Sequence, residues 1–307
     1  MLKNYTLFLF LLTTLNLISQ EIQIFKVEDF DLNGKVKSCL VITDYGRELF
    51  EFDETGLLTK SITQYNDTDQ DITYYKYADG ELLEKRMESY KNNVLDAATS
   101  MANFYTIDSV PLRKVSEKII SYDKEFLELQ EYEYDEQNRL VKITTSNEEG
   151  VDEMILEYAT YKDENTINFW LNEVMQKSIR TSEKKTGSGA QKAVLTKEYI
   201  DGEPNIAYEE SFDTTGKLIS KETFSYDLAK KGFISEKKKL NFYGTEGMLE
   251  KVVTKTSNSE SVKEFIFQFD SNEAKNWIKK IITPDNSYVT RRITYYANEA
   301  VQKESNK

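Results

Sequence analysis

The sequence has 307 residues, with 40 lysine and arginine residues against 53 aspartate and glutamate residues, a formal net charge of −13 and no histidine. The absence of histidine excludes Ser-His-Asp and Cys-His catalytic groups and every histidine-ligated metal site. The acidic balance argues against a nucleic-acid partner, because a phosphate backbone is bound by basic patches. The single cysteine, Cys39, cannot form an internal disulfide, and we expect it to be a small buried apolar residue.

The chain begins with a pattern typical of a secretory signal. Lys3 precedes an apolar run over residues 7–18, which is too short to span a bilayer. We predict a signal peptide over residues 1–19, cleaved near Ser19, and a periplasmic or secreted protein; the alternative is a buried N-terminal strand. No later apolar stretch is long enough for a membrane span. Residues 20–307 then form a single β-hairpin repeat domain, since no linker divides them.

One turn pattern recurs along the chain. In its fullest copy Tyr134 ends a strand, Asp135 opens a turn, Asn138 accepts positive φ and Leu140 starts the return strand. Turn chemistry explains each aspartate, so we predict no catalytic role for these residues. The seven copies begin at Phe30-Asp31, Phe52-Asp53, Tyr77, Tyr134-Asp135, Phe212-Asp213, Tyr243-Gly244 and Phe269-Asp270.

The repeats predict an all-β fold of about 20 strands. We expect an antiparallel hairpin-repeat array that forms a long, curved, largely single-layer sheet, with at most one or two short helices. Residues 94–105 have apolar residues at helical spacing and are either a short helix or an irregular loop. Residues 155–171 predict one further hairpin. Lysine pairs and triplets such as Lys237-Lys238-Lys239 are interpreted as solvated strand or loop faces.

The turn pattern also resembles that of the YD-repeat (RHS-like) family. The residues that carry the resemblance are Tyr134-Asp135 before the turn and Asn138-Arg139-Leu140 after it, and the likeness extends over most of residues 24–296. Both ends, at residues 32–38 and at residues 276–279 with 291–295, are similar to those of small secreted Bacteroidetes-type YD-repeat-like proteins. The resemblance implies β-hairpin arrays, in some members a shell around a toxin, in others a surface for carbohydrate or cell contact.

Only one stretch has the spacing of a metal loop. Asp67, Asp69 and Asp71 alternate as in a calcium loop, but Ile72 and Ala78 occupy positions where that loop needs glycine and glutamate. A polar turn explains these residues, so we expect no metal and no cofactor, with the three aspartates as weak candidates. A carboxylate pair could still hydrolyse a glycoside, although spacing does not select two of the acids.

The densest aromatic and cationic group lies near the C-terminus: Trp277, Arg291, Arg292 and Tyr295. Two interpretations stay open, a cap on the outer edge of the last repeat or a binding platform. For the whole chain we expect a non-enzymatic protein that presents a sheet surface to a carbohydrate or another envelope protein. The alternatives are a structural envelope component without a small ligand and a carboxylate-dependent glycoside hydrolase.

Overall fold

The structure is a computed structural model that describes residues 22–297 except residue 124 and residues 187–188. The predicted signal peptide therefore lies outside the described residues. The described chain is all-β apart from one 3-10 turn, Val27–Phe30. Its strands are β1 Val36–Thr43, β2 Gly46–Phe52, β3 Leu58–Gln64, β4 Gln70–Ala78, β5 Glu81–Lys91, β6 Val94–Leu95, β7 Met101–Asp108, β8 Lys114–Ser121, β9 Phe126–Tyr134, β10 Leu140–Asn147, β11 Gly150–Tyr161, β12 Glu164–Leu171, β13 Val174–Thr186, β14 Gly189–Ile200, β15 Glu203–Phe212, β16 Leu218–Asp227, β17 Gly232–Tyr243, β18 Leu249–Thr256, β19 Glu260–Phe269, β20 Trp277–Thr283 and β21 Ser287–Tyr295.

The sheet closes, so the expectation of an open, curved, single-layer sheet is wrong. Each strand pairs antiparallel with its neighbour in sequence, apart from the two-residue β6, which pairs only with β5 while β5 also pairs with β7. The last strand returns to the first, with Cys39 opposite Ile293 and Val41 opposite Arg291. The result is a twenty-stranded antiparallel barrel. Closure removes the two unpaired edges that an open sheet of this length would expose.

The recurring aspartate turns have the predicted geometry. Asp53 Oδ1 accepts the N–H of Thr55 at 2.9 Å and of Leu57 at 3.0 Å, and Gly56 follows with φ +88°. Asn138 takes the same place with φ +58°. A β-bulge follows each such turn. Phe52 pairs with Leu58, but the next residue, Glu51, pairs with Lys60, so the return strand has one extra residue at this point. These turns lie at one end of the barrel, the aspartate end. The opposite end is formed by the connections after β1, β3, β5, β8, β10, β12, β14, β16, β18 and β20, because β6 shifts the alternation by one strand.

Two local predictions fail. Residues 94–105 contain β6 and the start of β7 instead of a helix, because Met101–Asp108 pairs along its length with β8. The Phe30-Asp31 copy is not a hairpin. Phe30 ends the 3-10 turn, and Asp31 takes a left-handed conformation with φ 52°. The predicted hairpin over residues 155–171 is present as β11 and β12.

The inward face of the barrel is defined by two apolar cores. One joins β1–β3 to the segment before β1 and contains Phe30, Leu32, Cys39 and Phe50. The other joins strands β8–β13 and includes Val115 and Tyr132 among its buried residues. When the paired residues are followed from strand to strand, the residues of both cores lie on the same face of the sheet. Neither core includes a residue of β15–β19, so the barrel is not two sheets packed on each other.

The number of strands implies a wide lumen. Twenty strands about 4.8 Å apart make a ring about 95 Å around, so a circular barrel is about 30 Å across before strand tilt widens it. Side chains from facing walls cannot fill that width. On the β1–β9 side, residues 22–32 lie against the wall. Leu58 N–H donates to the Phe25 carbonyl and Val27 N–H donates to the Gly56 carbonyl, each at 2.9 Å. The rest of the inward face is mixed, with polar and charged side chains beside apolar ones such as Phe265, Phe267 and Ile282.

Candidate functional site

The predicted C-terminal group divides between the two faces of the barrel. Trp277 and Arg291 are buried on the inward face, with relative exposures of 4% and 6%, whereas Arg292 is exposed on the outer face. The guanidinium of Arg291 lies 3.5 Å from the centre of the Trp277 ring. Its two terminal nitrogens donate to the carbonyls of Phe30 at 3.0 Å and Asp31 at 3.2 Å. Arg291 therefore fixes the N-terminal segment to the last strand.

A second set of contacts reinforces this junction. Asn33 N–H donates to Asn276 Oδ1 at 2.8 Å, and Asn276 Nδ2 donates back to the Asn33 carbonyl at 2.9 Å. Asn276 Nδ2 also donates to the hydroxyl of Tyr295, which donates to Asp270. Burial and the Asp270 carboxylate raise the pKa of Tyr295 to about 12. We call Trp277, Arg291, Asn276 and Tyr295 the closure cluster.

The position of the closure cluster bears on both interpretations from the sequence, the edge cap and the binding platform. An edge cap requires an unpaired terminal strand, but β21 pairs with β1, so the last repeat has no free edge. A platform requires an exposed aromatic ring, and Trp277 is buried. The geometry gives these residues a structural task at the point of ring closure. A binding role for Trp277, Arg291, Arg292 and Tyr295 stays a prediction.

The three candidate metal ligands do not converge. Asp67 is exposed in the connection between β3 and β4. Asp69 accepts the Asn92 N–H at 2.8 Å, whereas Asp71 faces inward and accepts from Tyr65 at 2.7 Å and Ser89 at 2.5 Å. Within the described residues, no group of three or more possible ligands could hold a metal ion.

Cations concentrate on one side of the lumen. Pairing registers place the following side chains of β13–β21 on the inward face: Lys177, Lys192, Lys221, Lys237, Lys239, Lys263, Lys280 and Arg291. Away from the strand ends, the described inward carboxylates of these strands are Glu183, Glu198 and Glu210. We call this surface the basic wall. It is built by lysines from six strands and an arginine from a seventh, so no single sequence cluster shows it.

The lysines of the basic wall act on one another. Burial lowers the pKa of Lys239, and the neighbouring charges of Lys237, Lys221 and Lys263 lower it further. Burial and the charge of Arg291 lower the pKa of Lys280 in the same way. Lys221 is partly compensated by Glu210, whose Oε1 lies 2.9 Å from its Nζ. Same-sign charges this close produce a positive potential that favours an anion in the lumen.

The opposite side of the lumen carries mainly carboxylates. On β2–β11 the inward acids are Glu48, Asp71, Glu117, Glu128 and Asp152, with Lys85 among them. Glu117 is buried and accepts hydrogen bonds from Asn103 at 2.6 Å, from Tyr105 at 2.8 Å and from Tyr132 at 2.8 Å. A cavity of about 200 Å³ lies between this wall and residues 22–25. Burial raises the pKa of Glu48.

The Lys237-Lys238-Lys239 triplet illustrates why the sequence interpretation was incomplete. Lys237 and Lys239 face the lumen, while Lys238 faces outward and lies 2.9 Å from Glu222. The outer face carries many such mixed pairs, including Lys184 with Glu209 at 2.6 Å. Because side chains alternate along the strand, the triplet provides two inward cations and one outward lysine that is paired with a glutamate.

Among the described residues, no helix is long and apolar enough to cross a membrane.

The fold and its wall define an all-β barrel with a charged lumen. No protein-family model matches the sequence, and a search of curated proteins finds no match. The YD-repeat resemblance therefore rests on the turn residues.

Among solved structures, a porin-like protein from Bacteroides uniformis ATCC 8492 aligns at 10% identity over 84% of this chain and 98% of that chain, with a TM-score of 0.33. TcdB2-TccC3 aligns at 12% identity over 82% of this chain and 17% of that chain, with a TM-score of 0.21. The same complex without its hypervariable C-terminal region gives a TM-score of 0.19 at 11% identity over 83% of this chain and 19% of that chain. At these scores the likenesses support no functional argument.

Proposed function

We propose that the chain is an exported, non-enzymatic binding protein whose barrel holds an anionic polysaccharide against the basic wall. The observation that carries this proposal is the collection of cations on one inward side in a chain with net charge −13. Most of these lysines are at least partly exposed, so a ligand in the lumen can reach them. The ligand class is a polymer with repeated carboxylate or sulfate groups, because such a ligand can contact several strands together.

The unequal charge of the lumen favours binding over a purely structural envelope role. A structural component needs no segregation of charge, and same-sign lysines cost stability through repulsion. The outer face, by contrast, mixes both signs in ion pairs such as Lys142 with Glu153 at 2.5 Å. A lipid-facing barrel surface needs a continuous apolar band, so this outer face supports a barrel that stands in water, in the periplasm or outside the cell.

Binding calorimetry on residues 20–307 tests the proposal. The probes are polygalacturonate, dextran sulfate and, as an uncharged control, dextran. Replacing Lys221, Lys237 and Lys239 by glutamine should weaken polygalacturonate binding at least about 10-fold, since three charge-assisted contacts are removed. The matched control replaces the outward Lys238, Lys255 and Lys279 by glutamine and should change affinity less than about 2-fold.

Four outcomes would overturn the proposal. Equal losses in the inward and outward variants would show that the acidic polymer binds nonspecifically outside the barrel. Tighter binding of a DNA duplex than of either acidic polysaccharide would show that the ligand class is wrong. New reducing ends in polygalacturonate, formed at a rate that persists on repurification, would replace the binding role with a hydrolase. Intact Met1 in the native protein would contradict export.

A further inference from the structure

Exposed apolar residues gather at the opposite end of the barrel. Of the large hydrophobic residues that are exposed on the described chain, those in or within three residues of the opposite-end connections are Tyr45, Tyr65, Val94, Leu95, Phe126, Leu127, Val151, Val174, Ile200, Leu228, Val262 and Tyr288. The aspartate end has fewer: Val110, Leu112, Tyr161, Phe242 and Phe269. Single exposed apolar residues are ordinary, but a set on successive turns of one rim is not.

Neighbouring connections on this rim touch. A Cβ on Gly202 would lie 3.6 Å from Val174 Cγ1, so the connections before β13 and β15 are in contact. Asn172 N–H donates to the Glu153 carbonyl at 2.9 Å, which places the next connection, with Val151, beside them. Val151, Val174 and Ile200 thus form one sector of the rim, and their exposures are 62%, 40% and 60%. Leu228, on the following connection, is 82% exposed.

The same rim is acidic. Among the described residues, its connections and the residues beside them carry Asp44, Asp67, Asp69, Asp96, Asp123, Glu125, Glu148, Glu149, Glu173, Asp201, Glu203, Asp227, Glu260 and Asp285, against Arg47, Lys91, Lys230 and Lys231. Like charges oppose the docking of two copies rim to rim, and they repel an anionic lipid surface. Apolar tips among carboxylates instead complement an apolar protein surface that is surrounded by lysine and arginine.

We propose that the opposite-end rim is a docking surface for a partner protein whose contact surface is apolar and basic. Apolar residues such as Ile200 and Leu228 provide the contact area, and the surrounding carboxylates select a basic partner. This surface is separate from the basic wall, which lies inside the barrel. The two proposals can therefore fail independently.

The rim is tested with a fluorescein-labelled amphipathic helical peptide made of leucine and lysine, titrated by fluorescence anisotropy. Replacing Val151, Ile200 and Leu228 by serine should weaken peptide binding at least about 10-fold. The control replaces Val110, Leu112 and Tyr161, at the aspartate end, by serine and should change affinity less than about 2-fold. Leu228→Ser alone, at a fully solvated tip, should weaken binding about 2-fold or more with an unchanged melting temperature, which separates docking from misfolding.

Equal weakening by the rim and control variants would overturn the proposal. Two further measurements use the same proteins. Phosphatidylcholine vesicles that bind more tightly than the peptide, and lose binding in the rim variant, would show a lipid surface instead. Concentration-dependent dimers in analytical ultracentrifugation that disappear in the rim variant would show a second copy as the occupant.

Discussion

Arg291 and Arg292 are adjacent residues that the barrel places in opposite environments, so they form a matched pair for testing ring closure. Arg291→Met removes two hydrogen bonds to carbonyl groups and the stacking on Trp277. Hydrogen bonds from a charged donor are worth about 1.5–3 kcal/mol each, and a desolvated cation–π contact is worth about 2 kcal/mol. Removing a buried cation returns several kcal/mol of desolvation cost. We expect a net loss of about 2–4 kcal/mol.

Arg292→Met should change the free energy of unfolding by less than about 0.5 kcal/mol, because Arg292 is exposed. Urea unfolding gives the comparison through the midpoint and its slope. Hydrogen exchange adds a local measurement. In Arg291→Met the amides of Val27 and Leu58, which bond Gly56 and Phe25, should exchange faster because the N-terminal segment has lost its attachment. Equal midpoint shifts for the two variants, or a more stable Arg291→Met, would refute the assigned role of Arg291.

Three further predictions concern turns, the thiol and a buried acid. Gly216→Val should lower stability by about 1 kcal/mol or more because Gly216 has φ +85°, and the loss is a backbone effect because a Cβ at this position would meet no atom within 4 Å. Asn138→Gly should be close to neutral, and equal melting shifts would contradict the turn assignment. Burial raises the pKa of Cys39 to about 11, so the folded protein should not react with a thiol reagent at pH 8, and rapid labelling without urea would contradict its burial. Burial raises the pKa of Glu48 above the ordinary 4.5, so its ionisation destabilises the fold as pH rises past that value; Glu48→Gln should therefore stabilise the protein at pH 7 and not at pH 3.5, and a pH-independent effect would exclude this cause.

The turns and the approximate strand number were predictable because their chemistry is local. Asp53, Asp135 and Asp213 each accept amide hydrogens of their own turn, so no distant residue is needed to specify the hairpin. The pair β11 and β12 was predicted for the same reason. The Phe30-Asp31 copy failed because no strand precedes it for a return strand to pair with.

Closure was not predictable from the repeat pattern. It depends on the twist summed over all strands and on pairing between Cys39 and Ile293, which no local signal records. The sequence of a terminal hairpin has the same pattern in an open sheet, where its outer edge faces water, and in a closed barrel, where that edge pairs with the first strand. The expectation of an open sheet, and of an edge cap at Trp277, followed from that ambiguity.

Two inward lysines, Lys221 and Lys280, were hidden by the bulge after an aspartate turn. Leu218 and Lys221 are three residues apart and both face the lumen, because the bulge shifts the alternation by one residue. A strict two-residue period counted from Leu218 places Lys221 outside. The sequence therefore seemed to have two mixed faces, although the folded barrel separates basic, acidic and outer surfaces.

Pairing between the first and last strands also sets the order of assembly. Strand β1 has only one partner until residues 287–295 exist and reach it, so every shorter chain has two unpaired edges. Such edges pair readily with other chains. The molecule is consequently least protected during synthesis, and its last edges are paired only when residues 287–295 have been made. A stop codon just before β21 would thus leave both edges unpaired, although it leaves the other strands of the barrel intact.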